Sequence, residues 1–381
     1  MHVLIADTMT EETRAGLEGL GVMLTYAPDL EPHALPDRVK DVDVLVVGKT
    51  RVTRRTIEAG TRLGAVLRAG VGIDTIDSQA ASERGIIVAD CGEADVHARA
   101  ELAMGLVVAL DRGLHGKAGG GAGMRGRTFG LLGWDPVAQA LARIAQGFGM
   151  RVLVHAKRLT PTLAAEAGVH WCDSADSLFG RVDVLSLHPE DATPQVMATA
   201  ERIARLGEGA TLIVVTARGL VDLAAAKARL EAGTLRLGLD VYDANDYGDD
   251  VPFAADAFPG LLATLRKGGQ TRQVEDAINH QLVSAVETFL TRRVMPGAKN
   301  LGTARGAAIL LVRHRPGPEV LAAIFDALND GGAAILGLES QSFDGGQAAL
   351  LRVTLSTPPE AELRESLERI TGLLGLEVER G

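Results

Sequence analysis

The run Gly133-Trp134-Asp135-Pro136-Val137-Ala138 decides what this chain can do with an anion. It follows the apolar stretch Phe129–Leu132 and opens a segment in which Val137, Leu141, Ile144 and Phe148 recur at helical spacing. A second apolar run, Arg151–Val154, comes next, so Gly130 to Lys157 reads as strand, tight turn, amphipathic helix and strand. That is the first βαβ unit of a dinucleotide-binding fold. Its G-x-G-x-x-G fingerprint provides glycines for the turn, for close approach of the backbone to a pyrophosphate, and for helix–strand packing. Here the three positions are Gly133, Asp135 and Ala138, and only the turn glycine remains. Asp135 is placed to cap the helix by accepting from its first-turn amides, and Pro136 has no N–H to offer. In a working site those amides and the positive end of the helix hold the diphosphate. A carboxylate in that place costs roughly 3 kcal/mol per like-charge pair at about 5 Å and an effective dielectric of about 20, on the order of a hundredfold in affinity. The next strand ends Val154-His155-Ala156-Lys157, so Ala156 stands where an acid would hold the ribose hydroxyls. Lys157 and Arg158 could meet a 2′-phosphate, but the turn would still repel the diphosphate. The residues predict a Rossmann-type scaffold with an impaired NAD seat.

The elements needed to position these residues are present along the chain. Residues 2–7 read as a strand, 11–20 as a helix, 22–26 as a strand and VDVLVV from Val42 as another, followed by a helix from Thr53 and a strand Ala65–Arg68. Alternation of this kind builds parallel sheets with helices on both faces. With 381 residues, 46% hydrophobic, the chain has enough apolar material for two or three domains. A net charge of −10 argues against a nucleic-acid surface. Cys91 and Cys172 have neither the number for a disulfide framework nor metal-ligand spacing, and read as buried thiols. The opening MHVLIADTMT reads as a strand rather than a signal peptide, and no stretch approaches the roughly 18 apolar residues of a membrane span. The expectation is a cytoplasmic protein without a membrane partner. His115 to Gly123, rich in glycine, reads as a flexible linker.

The segment Arg68-Ala69-Gly70-Val71-Gly72-Ile73-Asp74-Thr75-Ile76-Asp77 resembles the R-A-G-V-G-x-D-N-I-D signature of the D-2-hydroxyacid dehydrogenase family, its phosphoglycerate dehydrogenase branch most closely. Gly126-Arg127-Thr128-Phe129-Gly130 resembles G-K-T-L-G, and Val182 to His188 matches V-D-V-L-S-L-H. Thr216 to Asp222 parallels T-A-R-G-G-x-V-D, and Leu239-Asp240-Val241-Tyr242 parallels L-D-V-F. The resemblance implies two doubly wound parallel-sheet domains. A flavodoxin-like lid would span 1–96 and 275–300, and a Rossmann domain 97–274. NAD is the family's cofactor. Its positions fall on Gly133, Asp135, Pro136, Val137, Ala156 and Asp240, the last contacting the nicotinamide amide in relatives or equally capping a turn. Substrate positions fall on Lys49, Thr50, Gly70, Val71 and Gly72.

Hydride exchange with a 2-hydroxy acid needs a cation for the carboxylate, a general base and a carboxylate to orient that base. By resemblance these are Arg218, which matches, the Glu position, which is Asn245, and the His position, which is Arg266. Asn has no titratable proton, and Arg, with a pKa above about 12, keeps its own at neutral pH. Asp90, Glu93 and Asp95 replace neutral residues of the family's cofactor-facing loop. His188 reads as structural.

From residue 306 to 381 the order strand, helix, strand, strand, helix, strand resembles an ACT regulatory domain, with the second helix expected over 359–374 and the last strand over 376–380. The resemblance implies pairing of copies, hence a homo-oligomer, dimer or tetramer. Of the family's effector positions, His314 and Gly317 are the candidate contacts, while Val312 and Ala334 depart from the serine-binding pattern. The expected function is that of a phosphoglycerate dehydrogenase-like protein which has lost hydride transfer and binds or regulates. The alternatives are altered chemistry on an anionic, phosphorylated or dicarboxylic substrate held by Lys49, Arg218, Arg266 and Lys267, or residual NAD-dependent dehydrogenase activity.

Overall fold

The computed structural model describes residues 1–116, 121–190, 195–240, 253–254, 257–302 and 306–380. They divide into two units, Met1–Asn300 and Leu301–Gly381. In the first, strands β1 (His2–Ile5), β2 (Met23–Tyr26), β3 (Val44–Val47), β4 (Ala65–Arg68) and β5 (Ile87–Asp90) form a parallel sheet ordered β2-β1-β3-β4-β5. Strands β6 (Thr128–Leu132), β7 (Arg151–His155), β8 (His170–Trp171), β9 (Val184–Leu187), β10 (Ala210–Val214), β11 (Leu235–Leu239) and β12 (Leu261–Ala263) form a second, ordered β12-β11-β10-β9-β6-β7-β8. Every pairing in both is parallel, so both faces must be covered by helices. Alternate residues of one strand accordingly enter different cores. Val3 and Ile5 pack on one face of the smaller sheet, Leu4 and Ala6 on the other.

The long helix Val96–Arg112 joins the two sheets and buries Ala103, Leu106, Val107 and Leu110 against Phe129 and Ile213. The helix Arg272–Arg292 returns to the smaller sheet, placing Leu282, Val286 and Phe289 beside Val3 and Leu17. At the glycine-rich crossing the described residues are more tied down than a flexible linker. The Asp111 carboxylate accepts from the amides of Ala122 (3.2 Å) and Gly123 (3.1 Å), and pairs with Arg127 at 3.0 Å. A buried carboxylate recruits whatever donors pass within reach, and this run passes over it. Both cysteines are free and buried, and burial pushes the Cys91 thiol up to about 11, which makes it unreactive. Among the described residues no helix is long and apolar enough to cross a membrane.

In the second unit, β13 (Ala308–His314), β14 (Ile335–Ser342), β15 (Ala349–Leu355) and β16 (Leu373–Arg380) form an antiparallel sheet ordered β14-β15-β13-β16. Helices Pro318–Asp330 and Ala361–Glu368 complete the βαββαβ order, with Leu310, Val312, Ile324, Leu328, Leu351, Val353 and Leu367 in the core. The second helix is shorter than its apolar periodicity predicts, and β16 starts earlier. Gly372, at φ +98°, turns the chain there, and a Cβ on it would lie 2.8 Å from Val320 Cγ2.

Candidate functional site

The carboxyl ends of the larger sheet gather the candidate residues of that lobe. Gly133 and Asp135 follow β6, Ala156 follows β7, His188 follows β9, Arg218 lies beyond β10, Asp240 follows β11 and Arg266 lies beyond β12. Strand order reverses between β6 and β9, and open parallel sheets receive ligands outside such a reversal.

That crevice is where the helix Pro136–Gly147 begins. Asp135 is its N-cap, with Oδ1 accepting from Ala138 N at 2.7 Å, and Pro136 occupies the first helical position. Across the reversal, His188 Nδ1 lies 2.9 Å from the same Oδ1, off the direction in which the ring nitrogen bonds, so proximity rather than an aligned hydrogen bond joins them. Burial raises the Asp135 carboxyl, but the His188 ring, the Ala138 N–H and the more distant Arg99 outweigh it and hold the group below the ordinary aspartate range. It is ionised at neutral pH. His188 Nε2 sits 3.0 Å from Ser186 Oγ, which completes the composition of a hydrolytic triad. Ser186 is wholly buried in β9 between β6 and β10, so its hydroxyl has no route to a substrate and the trio is a structural network.

Gly133 serves this network too. Its φ is +99°, and a Cβ there would stand 1.8 Å from His188 O. The glycine lets β6 and β9 turn past each other. At the end of β7, His155 Nδ1 lies 2.9 Å from Cys172 O, and Lys157 N donates to Glu190 Oε2 at 2.8 Å. At this turn Pro136 has no amide to offer, the Ala138 amide is capped by Asp135, and no acid ends β7.

Asp240 is the organiser of the neighbouring loop. Its Oδ1 accepts from Thr264 Oγ1 (2.7 Å) and Lys267 N (2.6 Å), and its Oδ2 from Gly268 N (2.8 Å). With 3% exposure, it caps this turn. The loop carries Arg266 in left-handed backbone, φ +53°, held by Arg266 N donating to Asp240 O at 2.7 Å. Arg218 and Arg266 are both exposed at this edge. Arg99, which no motif singled out, reaches the same edge from the long helix, donating to Val215 O and Thr216 O while its Nε pairs with Asp95 at 2.5 Å. Asn245 lies outside the described residues.

In the smaller lobe, carboxylates again take main-chain amides. Asp90 Oδ2 accepts from Gly72 N at 2.6 Å, and its Oδ1 lies 3.1 Å from Lys299 Nζ. Asp7 Oδ2 accepts from Gly48 N (2.7 Å) and Thr50 N (3.0 Å), and the Thr50 hydroxyl donates to Ala6 O. Gly70 and Val71 follow β4, and Arg68 spans them, bonding Val71 O and pairing with Asp74. Of the acidic loop, Asp90 and Asp95 are thus internally paired, and Glu93 is exposed. No motif indicated Asp7, Glu190 or the His188 contact.

In the second unit His314 is buried, with Nδ1 2.8 Å from Arg315 O, and Gly317 is the N-cap of the helix Pro318–Asp330 in extended backbone.

Comparison with known proteins places this geometry in context. Residues 3–300 match the catalytic domain of the D-isomer specific 2-hydroxyacid dehydrogenases. The D-3-phosphoglycerate dehydrogenase of Methanocaldococcus jannaschii is 29% identical over 316 residues, 79% of this chain and 60% of that protein. The chain therefore spans less than two thirds of that relative. The hydroxypyruvate reductase of Thermotoga maritima is 31% identical over 301 residues, 75% of this chain and 97% of its own length. The NAD+-bound 3-phosphoglycerate dehydrogenase of Entamoeba histolytica superposes with a TM-score of 0.66 at 21% identity, covering 80% of this chain and 99% of its own, which establishes a shared fold. With a family match over most of its length and the fold to go with it, the chain belongs to the D-isomer specific 2-hydroxyacid dehydrogenase family.

Proposed function

We propose that this chain is a phosphoglycerate dehydrogenase-like protein that no longer transfers hydride and acts as a binding or regulatory homologue. The observation that carries the reading is the ionised Asp135 at the N-cap of the helix Pro136–Gly147, 2.9 Å from His188 across the strand reversal. A diphosphate approaching that turn meets a fixed negative charge instead of free amides. The base position supports the same reading, because Arg266 cannot shuttle a proton at neutral pH, and general acid–base catalysis is worth about 10² to 10⁴-fold. Calorimetric titration with NADH should give no heat of binding, and 3-phosphoglycerate with NAD+ no turnover. Micromolar affinity for NADH would overturn the reading.

The second unit fits an ACT-type module, and we assign it a structural, pairing role in a homo-oligomer. Its edge strand β14 exposes Ile335 (42%), Leu336 (48%) and Leu338 (49%), with Phe343 (50%) just beyond, an apolar edge of the kind monomers avoid. Light scattering on the full chain should give at least a dimer mass, and Leu338→Lys should shift it toward monomer.

A further inference from the structure

Beyond the carboxyl ends of the smaller sheet lies a cavity of about 520 Å³ whose lining includes Lys49, one of the positions at which the family resemblance expects a substrate. It opens past β1, β3 and β4, where the order β2-β1-β3-β4-β5 reverses between β1 and β3, the crevice at which sheets of this order receive ligands. Its charged lining residues are Asp7, Lys49, Arg68 and Glu275, and Met9 and Ile278 supply an apolar wall. Neither Gly70–Gly72 nor any residue of the larger sheet lines it.

The bonding capacity left on these groups is specific. Lys49 and Glu275 are exposed at its rim, and their side chains have no ionic or hydrogen-bonded partner among the described residues. Arg68 uses Nε on Gly48 O (3.3 Å) and Nη1 on Val71 O (3.1 Å) and Asp74, leaving Nη2. Asp7 uses Oδ2 for the amides of Gly48 and Thr50, leaving Oδ1. Two cations and two carboxylates thus face one space with zero formal sum. A simple anion attracted by Lys49 and Arg68 also meets Asp7 and Glu275, which oppose it, whereas a ligand carrying both charges finds an opposite for each. The apolar wall calls for an apolar substituent between them.

We propose that this cavity binds a small zwitterion, an α-amino acid with an apolar side chain, its carboxylate on Lys49 and Arg68 and its ammonium on Glu275 and Asp7. The inference goes beyond the loss of hydride transfer and uses none of the nucleotide-binding-type residues, so either can fail alone. The full chain is titrated calorimetrically with L-leucine, with 4-methylpentanoate, which lacks the ammonium, and with 3-methylbutylamine, which lacks the carboxylate. Each missing charge-assisted contact should weaken binding about tenfold or more relative to L-leucine. Glu275→Gln should weaken L-leucine by a similar factor and leave 4-methylpentanoate unweakened, and Lys49→Met should weaken both. Both side chains are exposed, so unchanged melting temperatures certify folding. Equal affinity for L-leucine and 4-methylpentanoate, or no heat with L-leucine at a concentration of about 10 mM, overturns the proposal.

Discussion

Asp135→Gly combined with Pro136→Ala is expected to tighten NADH binding by about a hundredfold over the unaltered chain, read by calorimetry. The first change removes the carboxylate that caps Ala138 N, and the second restores a first-turn N–H. With Asp135 gone, the Ala138 N–H and the restored N–H at position 136 are both free to donate, so the change converts an acceptor site into a donor site. Asp135→Asn is the informative control. Asn caps about as well as Asp, so the helix stays formed while the charge disappears, and a smaller gain follows. On the proposed reading, turnover of 3-phosphoglycerate should remain absent in the double variant, because Arg266 still stands where the family resemblance expects the base. Adding Arg266→His and Asn245→Glu without repairing the turn should not create it either. A double variant that binds NADH no better than the parent would show that the cap is not what governs this seat.

Gly133→Ala is expected to destabilise the first unit by about 3 kcal/mol or more, a fall in melting temperature on the order of 6–12 °C. Two costs combine. An L residue at φ +99° is strained, and the new Cβ would overlap the His188 carbonyl oxygen at 1.8 Å, a main-chain atom held by His188 N donating to Leu132 O at 2.8 Å. Neither strand can move without opening the ladder between β6 and β9. Thermal unfolding of the two proteins decides the matter. If Gly133 were retained only for a nucleotide, the substitution would leave the melting temperature of the ligand-free chain unchanged.

Much of this molecule is legible in its sequence. Strand–helix alternation located both parallel sheets, because a strand buried on both faces reads as a continuous apolar run and its crossover helix shows a 3.6-residue period. The Asp135 cap is equally plain there, since a cap joins residues three apart and needs nothing beyond the local chain. Where local pattern and tertiary packing competed, packing won. The expected helix 359–374 ends at Glu368 because Gly372 must pass Val320 closely, a constraint invisible in the apolar periodicity. The crossing read as flexible from its glycines, yet Asp111, distant in class from any linker residue, anchors its described end.

What the sequence by itself determined is the chain's family architecture and the residue types at the positions to which the resemblance points: a carboxylate and a proline at the turn, an arginine where a base is expected, an asparagine where its partner is expected. Only the tertiary structure decided where the remaining charges point. The contacts of Asp135 with His188, Asp90 with Gly72, Asp7 with Gly48 and Thr50, and Asp240 with the 264–268 loop join residues from different strand ends. No spacing rule links such residues, because sheet order, not chain order, makes them neighbours, and a buried carboxylate takes whatever main-chain donor that order brings within reach.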